Sequence, residues 1–426
     1  MYKRFVSESV RAGLSDTPVV FIRGARQTGK TTLAREIVSS KHKANYITLD
    51  SAAVLSAAGT DAAGFISRLK KPATIDEVQR VPELILAIKE EVDRNRTAGR
   101  YLLTGSANIL TIPKVADSLA GRMEIVTLWP LSRGEIAGTR ETFIRKVFKG
   151  GAGKLKFSKT GIEDLADMII TGGYPEPVKR ASYERRASWF DSYLTTVIER
   201  DIRSLANIHD ISLMPRLFKL LSARTGSLRD NSEISRSSGI PNASLARYMS
   251  LLEGIFLVYP VPAWSSNFGK RLVKSPKVFF TDTGVAGHLL GIDAERLIAD
   301  PTLTGKLFEN FVSSELFKQA AWSGMRLKIY HFRAHTGQEV DLVLEDSSGK
   351  VAGIEVKLSA SVTAKHFSGL REFQRLAGDA FIAGIVLYTG DQLVPFGMIC
   401  LPYPFPPCGV KPGEGKVGKL GTLFKN

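Results

Sequence analysis

The sequence predicts an α/β protein of several units, led by a sheet of the phosphate-loop type, and three observations predict it. Gly24-Ala-Arg-Gln-Thr-Gly29-Lys30-Thr31 is a complete P-loop pattern. The apolar run at 18–22 before it reads as a buried strand, and residues 31–38 after it have helical spacing, with Leu33 and Ile37 on one face. Over residues 1–140, strand-like runs at 44–50, 73–75, 101–103 and 124–128 then alternate with helical ones, as a three-layer sheet requires.

Each residue type in the loop has a physical reason. Gly24 and Gly29 let the backbone wrap an anion, so that consecutive N–H groups of Ala25, Arg26, Gln27 and Thr28 point inward, and Lys30 adds a cation for the β- and γ-phosphates. Thr31 can place its hydroxyl on Mg²⁺, and with Thr32 it opens a helix whose N-terminus favours negative charge. Hydrolysis needs a second, acidic element. Asp76, ending the short strand at 73–75, would stand beside Thr31 at the metal, Glu77 could polarise the attacking water, and Gln79 lies close enough to help. Thr104, Ser106 and Asn108, at the end of the next strand, can sense the γ-phosphate or cap a turn equally well.

These motifs carry a resemblance. Residues 23–33, then Ile75-Asp-Glu-Val-Gln79, Leu103-Thr-Gly-Ser106 and Ser118-Leu-Ala-Gly-Arg122 look like the bacterial and archaeal AAA-like ATPases that have a C-terminal DUF4143 domain, over about Tyr2 to Tyr388. The resemblance implies an AAA+ or STAND-type ATPase core joined to a helical lid, a winged helix and a restriction-endonuclease-like α/β domain. The expected cofactors are ATP and Mg²⁺.

Composition sets bounds. A chain of 426 residues exceeds a single small core, and 44% hydrophobic content suffices for packed interiors. The two cysteines, Cys400 and Cys408, lie in a Pro-rich tail and support neither a disulfide framework nor a paired zinc site, which suits a reducing cytoplasm. The start Met1-Tyr-Lys-Arg-Phe lacks an apolar signal region, and no apolar run approaches the roughly 20 residues that span a bilayer, so a cytoplasmic protein with no membrane partner is expected. With 58 Lys+Arg against 42 Asp+Glu the formal charge is +16, which favours polyanions. DNA is the expected partner.

The expected organisation is a P-loop core over 1–145, a helical lid over 160–210, a winged helix over 211–285, a nuclease-like domain over 300–400 and a Pro/Gly/Lys-rich tail over 401–426. Gly150-Gly-Ala-Gly-Lys-Leu-Lys156 has neither a preceding strand nor a following Ser or Thr, and reads as a connection. In the lid region Gly172-Gly-Tyr-Pro175 ends one helix and starts another. Arg122 and Arg200, which the family pattern also places here, could reach a γ-phosphate within the chain or from a neighbouring copy in a homo-oligomer, or be surface residues. Residues 232–252 outline a helix-turn-helix, and a loop with Lys270, Arg271 and Lys274 between strands at 255–259 and 277–280 has the expected shape of a basic wing. With only Asn242, Ser244 and Arg247 as base readers, phosphate binding is more credible than sequence readout, and a lid or protein contact is the other use of such a fold.

Farther on, residues 338–345 and 351–357 read as two strands joined by the polar turn at 346–350. Period-two alternation puts Glu355 and Lys357 on one face, with Asp341 alongside from the neighbouring strand. This is the Asp…Glu-X-Lys arrangement of restriction-endonuclease-like nucleases: two carboxylates for Mg²⁺ and a lysine for water. Glu309, on the helix before, stands where that superfamily often has another metal-site carboxylate. His331, Arg333 and His335 could contact phosphate. The expected function is a Mg²⁺-dependent ATPase whose nucleotide state controls a DNA-binding, nuclease-like domain. A STAND-type switch with a non-cleaving domain is the alternative, and the absence of further helicase motifs counts against a helicase or loader.

Overall fold

The computed structural model describes residues 1–40, 42–106, 121–150, 160–203, 211–390, 394–395 and 399–402. They fall into two compact units: Lys3–Pro130 with Leu251–Leu257, and Met1–Tyr2 with Leu131–Ser250 and Val258–Asn426.

In the first unit five parallel strands run in the order β2-β3-β4-β1-β5, with β1 at Val19–Arg23, β2 at Asn45–Thr48, β3 at Ala73–Asp76, β4 at Tyr101–Gly105 and β5 at Met123–Thr127. Every residue of β3 and β4 is buried, because helices cover both faces of a parallel sheet; such strands read as continuous apolar runs rather than alternating ones. The helix Glu83–Arg94 places Leu84, Ile85, Ile88 and Val92 on one side, against Val19, Phe21, Ile75 and Leu103 of the sheet. Truncating fully buried Ile88 to Ala would cost about 2–5 kcal/mol of this packing. Since all five strands point the same way, the loops after β1, β3 and β4 meet at one edge. That edge is where ligands bind in open α/β sheets.

The second unit begins with helices, among them Ile162–Thr171, Pro175–Lys179 and Tyr183–Thr196. The break at Gly172-Gly173 has a physical cause beyond helix punctuation: a Cβ on Gly172, at φ +66°, would lie 2.2 Å from Asp282 Oδ1, and Gly173 N–H donates to Asp282 Oδ2 at 2.6 Å. Asp282 in turn caps the helix Thr283–Leu290 by accepting from Val285 N–H. The helix-turn-helix outline corresponds to Asn231–Ser238 and Asn242–Gly254, with Asp230 as N-cap of the first and Gly239 in the left-handed conformation at its end.

The wing differs from expectation. Strands β6 (Val258–Val261) and β7 (Lys277–Phe280) do pair antiparallel, but a short helix, Phe268–Val273, occupies the connection. Arg271 is not a free cation there. It lies against Glu345 at 2.8 Å, donates to Tyr330 Oη and Ser265 O, and stacks over the Trp264 and Tyr330 rings. The same segment is stitched onward, since Trp264 N–H donates to His331 O at 2.6 Å and His331 N–H to Pro262 O at 2.9 Å. Lys274 reaches Arg333 O at 3.4 Å, and the Lys270 side chain lies outside the described residues.

The C-terminal sheet follows the order β12-β13-β11-β10-β9-β8. Strands β8 (Leu327–Arg333), β9 (Glu339–Asp346) and β10 (Val351–Lys357) form an antiparallel meander after the helix Pro301–Trp322; the helix Ser368–Ala377 then crosses to β11 (Phe381–Tyr388), parallel to β10. Two short strands, β12 (Val394–Pro395) and β13 (Ile399–Pro402), complete it. Positions 340–345 and 351–356 are buried without interruption, not in alternation, because both faces of the sheet are covered. Gly150 is described, whereas the rest of the expected glycine-rich connection, Asn108, residues 118–120, Cys408 and the tail lysines Lys411, Lys416, Lys419 and Lys425 fall outside the described residues. Among the described residues no helix is long and apolar enough to cross a membrane.

Candidate functional site

Strand β1 ends at Arg23 and the next helix, Lys30–Ser40, begins at the loop lysine, so 24–29 is the turn between them. Gly24, at φ +154°, runs so close to β5's end that a Cβ would meet Leu128 O at 2.2 Å. Gln27 and Gly29 also have positive φ, 68° and 94°, which turns successive N–H groups toward one concavity. Lys30 is buried and donates to Gly24 O at 3.0 Å and Ala25 O at 2.8 Å. Those carbonyls hold the ammonium at the mouth of the loop where phosphate oxygens would compete for it. Thr28 donates to Ala25 O, half-buried Arg26 and exposed Gln27 lie on the rim, and Thr32 is exposed on the first helical turn.

Asp76 is the hub. Its carboxylate accepts from Thr31 Oγ1 at 2.9 Å, from Tyr46 Oη at 2.8 Å and from Thr104 Oγ1. The sequence pairing of Thr31 with Asp76 is therefore reproduced in space. Glu77 follows in the left-handed conformation, φ +62°, a position uncommon for a residue with a side chain and favoured where a site over-determines the backbone. Its N–H donates to Thr104 Oγ1 at 3.1 Å, and Gln79 Nε2 donates to the Glu77 carboxylate and, at 3.0 Å, to Ser106 Oγ. Residues 31, 76, 77, 79, 104 and 106 thus gather at one edge.

Two residues here had no signal in the chain. Tyr46 sat inside a strand-like run, and its hydroxyl pKa is pushed up to about 12 by burial first and then by Asp76. Arg4, near the start, donates to Thr28 O at 2.7 Å and Trp129 O at 2.6 Å and so pins the loop from behind. Arg122 goes elsewhere: it pairs with Asp93 at 2.5 Å and its carbonyl accepts from Val19 N–H, at the opposite edge of the sheet, about 13 Å of strand away from the loop. Within this chain it does not reach a phosphate at the P-loop. The Arg200 side chain lies outside the described residues.

The second constellation also assembles, with a member the sequence did not announce. Asp341 Oδ2 accepts from Val356 N–H at 2.9 Å, which sets it against β10 beside Glu355. Lys357 Nζ lies 2.6 Å from Glu355 Oε1. Between Asp341 and Glu309 stands Lys277, from β7, with its ammonium 2.8 Å from Glu309 Oε1 and 3.2 Å from Asp341 Oδ1. Burial works against the Lys277 charge, yet Glu309 and then Asp341 outweigh it and hold its pKa above the ordinary range. Lys357 is raised in the same way by Glu355. Three carboxylates face two ammoniums, one negative charge in excess. Glu355 carries the consequence: burial, then Asp341, pushes it up to about 8, and its Oε2 is buried with no hydrogen-bond partner. Glu309 is raised too, by burial and then Asp341.

The carboxylates therefore do not fit a divalent ion as they stand. Among the described residues no three Asp, Glu, His or Cys side chains converge as a metal set. Of Glu309, Asp341 and Glu355, expected as metal ligands, the first two share the Lys277 ammonium in this structure. His331 is buried, with Nε2 3.2 Å from Ser275 O, and its pKa is lowered to about 4 by burial and then by Lys277. It faces the interior rather than a phosphate. Arg333 and His335 are exposed.

Comparison with known proteins finds three matching stretches along the chain. An AAA domain family matches residues 16–137, a domain of unknown function, DUF4143, matches 304–406, and another, DUF8612, matches 162–296. An uncharacterized protein of Mycobacterium tuberculosis is 31% identical over 398 residues, covering 92% of this chain and 81% of its own length. One from Haemophilus influenzae is 24% identical over 227 residues, 51% of this chain and 52% of that protein. Among solved structures, a Walker-type ATPase of Pyrococcus abyssi aligns with 68% of this chain and 96% of its own at 15% identity and a TM-score of 0.42.

Proposed function

The chain belongs to the AAA-like ATPases that carry a C-terminal DUF4143 domain, and on that premise we propose that it hydrolyses ATP with Mg²⁺ and that its nucleotide state governs how the C-terminal domain engages DNA. One observation carries the first half: Thr31, Asp76, Thr104 and Glu77 meet in a single hydrogen-bonded cluster at the P-loop edge. Thr31 and Asp76 would hold Mg²⁺, which when bound offsets charge developing on the transferred phosphoryl group. Lys30 and the N–H groups of residues 24–31 bind and orient the β- and γ-phosphates. Glu77, steadied by Gln79, accepts a proton from the attacking water.

Lys30→Ala is expected to abolish turnover and weaken nucleotide binding. Glu77→Gln is expected to keep binding and slow hydrolysis by about 10²-fold or more, the usual scale for a general base. Calorimetric titration of nucleotide beside phosphate release separates the two, and full turnover by the Lys30 variant would sink the assignment.

For DNA, the support is the formal charge of +16 and the helix-turn-helix outline, and binding that weakens steeply with salt is the expected signature. A second reading, phosphodiester cleavage in the C-terminal domain, is favoured by the helix, three-strand meander, helix and parallel strand order, which suits a restriction-endonuclease-like fold, and by the gathering of Asp341, Glu355 and Lys357. A switch with a non-cleaving domain is favoured by Lys277.

A further inference from the structure

We infer that Lys277 is the built-in counter-ion of the C-terminal carboxylate cluster: its ammonium takes the place of a divalent cation between Glu309 and Asp341, so the domain takes up no such ion in this conformation. Four of the six carboxylate oxygens are already engaged. Asp341 gives one to Lys277 and one to Val356 N–H, Glu309 gives Oε1 to Lys277, and Glu355 gives Oε1 to Lys357, while Glu355 Oε2 is buried with no partner. A divalent ion binds through one or two carboxylates and keeps several waters, so to sit here it would have to take Asp341 and Glu309 from the Lys277 ammonium.

Charge points the same way. A divalent cation would bring two more positive charges beside two ammoniums that the cluster already holds. Lys277 is also not a stray surface residue: it is 5% exposed, its backbone pairs with Val261 on β6, and it bridges to Leu228 in the connection between the helices Met214–Ala223 and Asn231–Ser238. Its Cα is thus fixed in the sheet, and its side chain is enclosed. This inference goes beyond the ATPase reading and stands whether or not that reading holds.

The test is Mn²⁺ binding to the full chain, followed by electron paramagnetic resonance and calorimetry, with Asp76→Ala in every arm to remove the P-loop metal site. Without further change, no ion is expected to bind at the cluster at 100 µM Mn²⁺, about the upper end of a useful affinity window. Lys277→Met should create one site at least tenfold tighter, and adding Glu355→Gln should remove it. Because Lys277→Met leaves three buried carboxylates facing one lysine, a second variant, Lys277→Gln, keeps a polar side chain at the position and should show the same gain, with circular dichroism confirming that both variants fold. The inference is overturned if the chain with Lys277 intact binds Mn²⁺ in a manner that Glu355→Gln abolishes, or if a folded Lys277 variant gains no site. DNA cleavage and ATP turnover, measured in parallel without Asp76→Ala, report separately on the readings above.

Discussion

Asp76 and Asp341 are both buried carboxylates on sheet strands, and their surroundings are opposite. Asp76 is met by three hydroxyls, those of Thr31, Tyr46 and Thr104, whereas Asp341 is met by an ammonium and a backbone N–H. Hydroxyls orient a carboxylate without neutralising it, so its charge remains for a cation that arrives with the substrate. An ammonium neutralises it in place. Two sites that look alike as sequence, an acidic residue beside an apolar strand run, thus have different electrostatic surroundings.

That contrast can be broken most forcefully by removing each acid. Asp341→Ala takes one of two carboxylates from the Lys277 ammonium and the acceptor from the buried Val356 N–H, each costing about 1–3 kcal/mol, read as a lower denaturation midpoint. Asp76→Ala removes only hydroxyl acceptors and should cost about 1–3 kcal/mol while eliminating turnover. Equal losses from the two would end the comparison. An effect of similar size is expected at Arg271, whose loss leaves Glu345 with Trp264 Nε1 as a donor and should destabilise by about 1–3 kcal/mol. Arg271→Gln should also leave the salt slope of DNA binding unchanged, because this arginine is engaged internally; a slope reduced by about one would restore it to a wing.

His331 sharpens the electrostatic side. Its folded pKa, about 4, lies below the ordinary value of 6.5, so the native state favours the neutral ring. The unfolded chain binds the extra proton between those values, hence stability is present above pH 6.5 and lost as pH falls toward 4, by up to about 3 kcal/mol. His331→Asn should flatten that limb of a pH series of unfolding curves relative to the parent. The smallest effect belongs to Tyr46→Phe, which deletes one of three hydroxyls on Asp76 and should cost about 1 kcal/mol in stability.

How much of this could be read from the chain depended on range. The P-loop strand and helix, the strand runs near 75, 102 and 125 and the hairpin at 338–357 were legible, because apolar runs and turn residues are local signals. Thr31 with Asp76, and Asp341 with Glu355, were legible because their motifs fix residue type and spacing. Lys277 was not: it arrives from a strand 32 residues before Glu309 and 64 before Asp341, and a lysine in a run such as Lys277-Val-Phe-Phe280 looks like a solvated strand end. Arg4 and Tyr46 were missed likewise, since a side chain that braces a loop through a carbonyl leaves no pattern. The wing failed for the opposite reason. Three basic residues between strands made a persuasive local pattern, and a tertiary partner, Glu345, used the central one.

Thr104 has a consequence of its own. A hydroxyl owns a single hydrogen. Because Glu77 N–H must donate to Thr104 Oγ1, that hydrogen is left with one direction, toward Asp76. The threonine therefore acts as a polarity lock: Glu77, proposed to address water, and Asp76, proposed to address the metal, are read through the same oxygen, one by acceptance and one by donation. A turn of the Glu77 peptide would free that oxygen of its donor, so the two halves of the proposed hydrolytic site share a latch no larger than one atom.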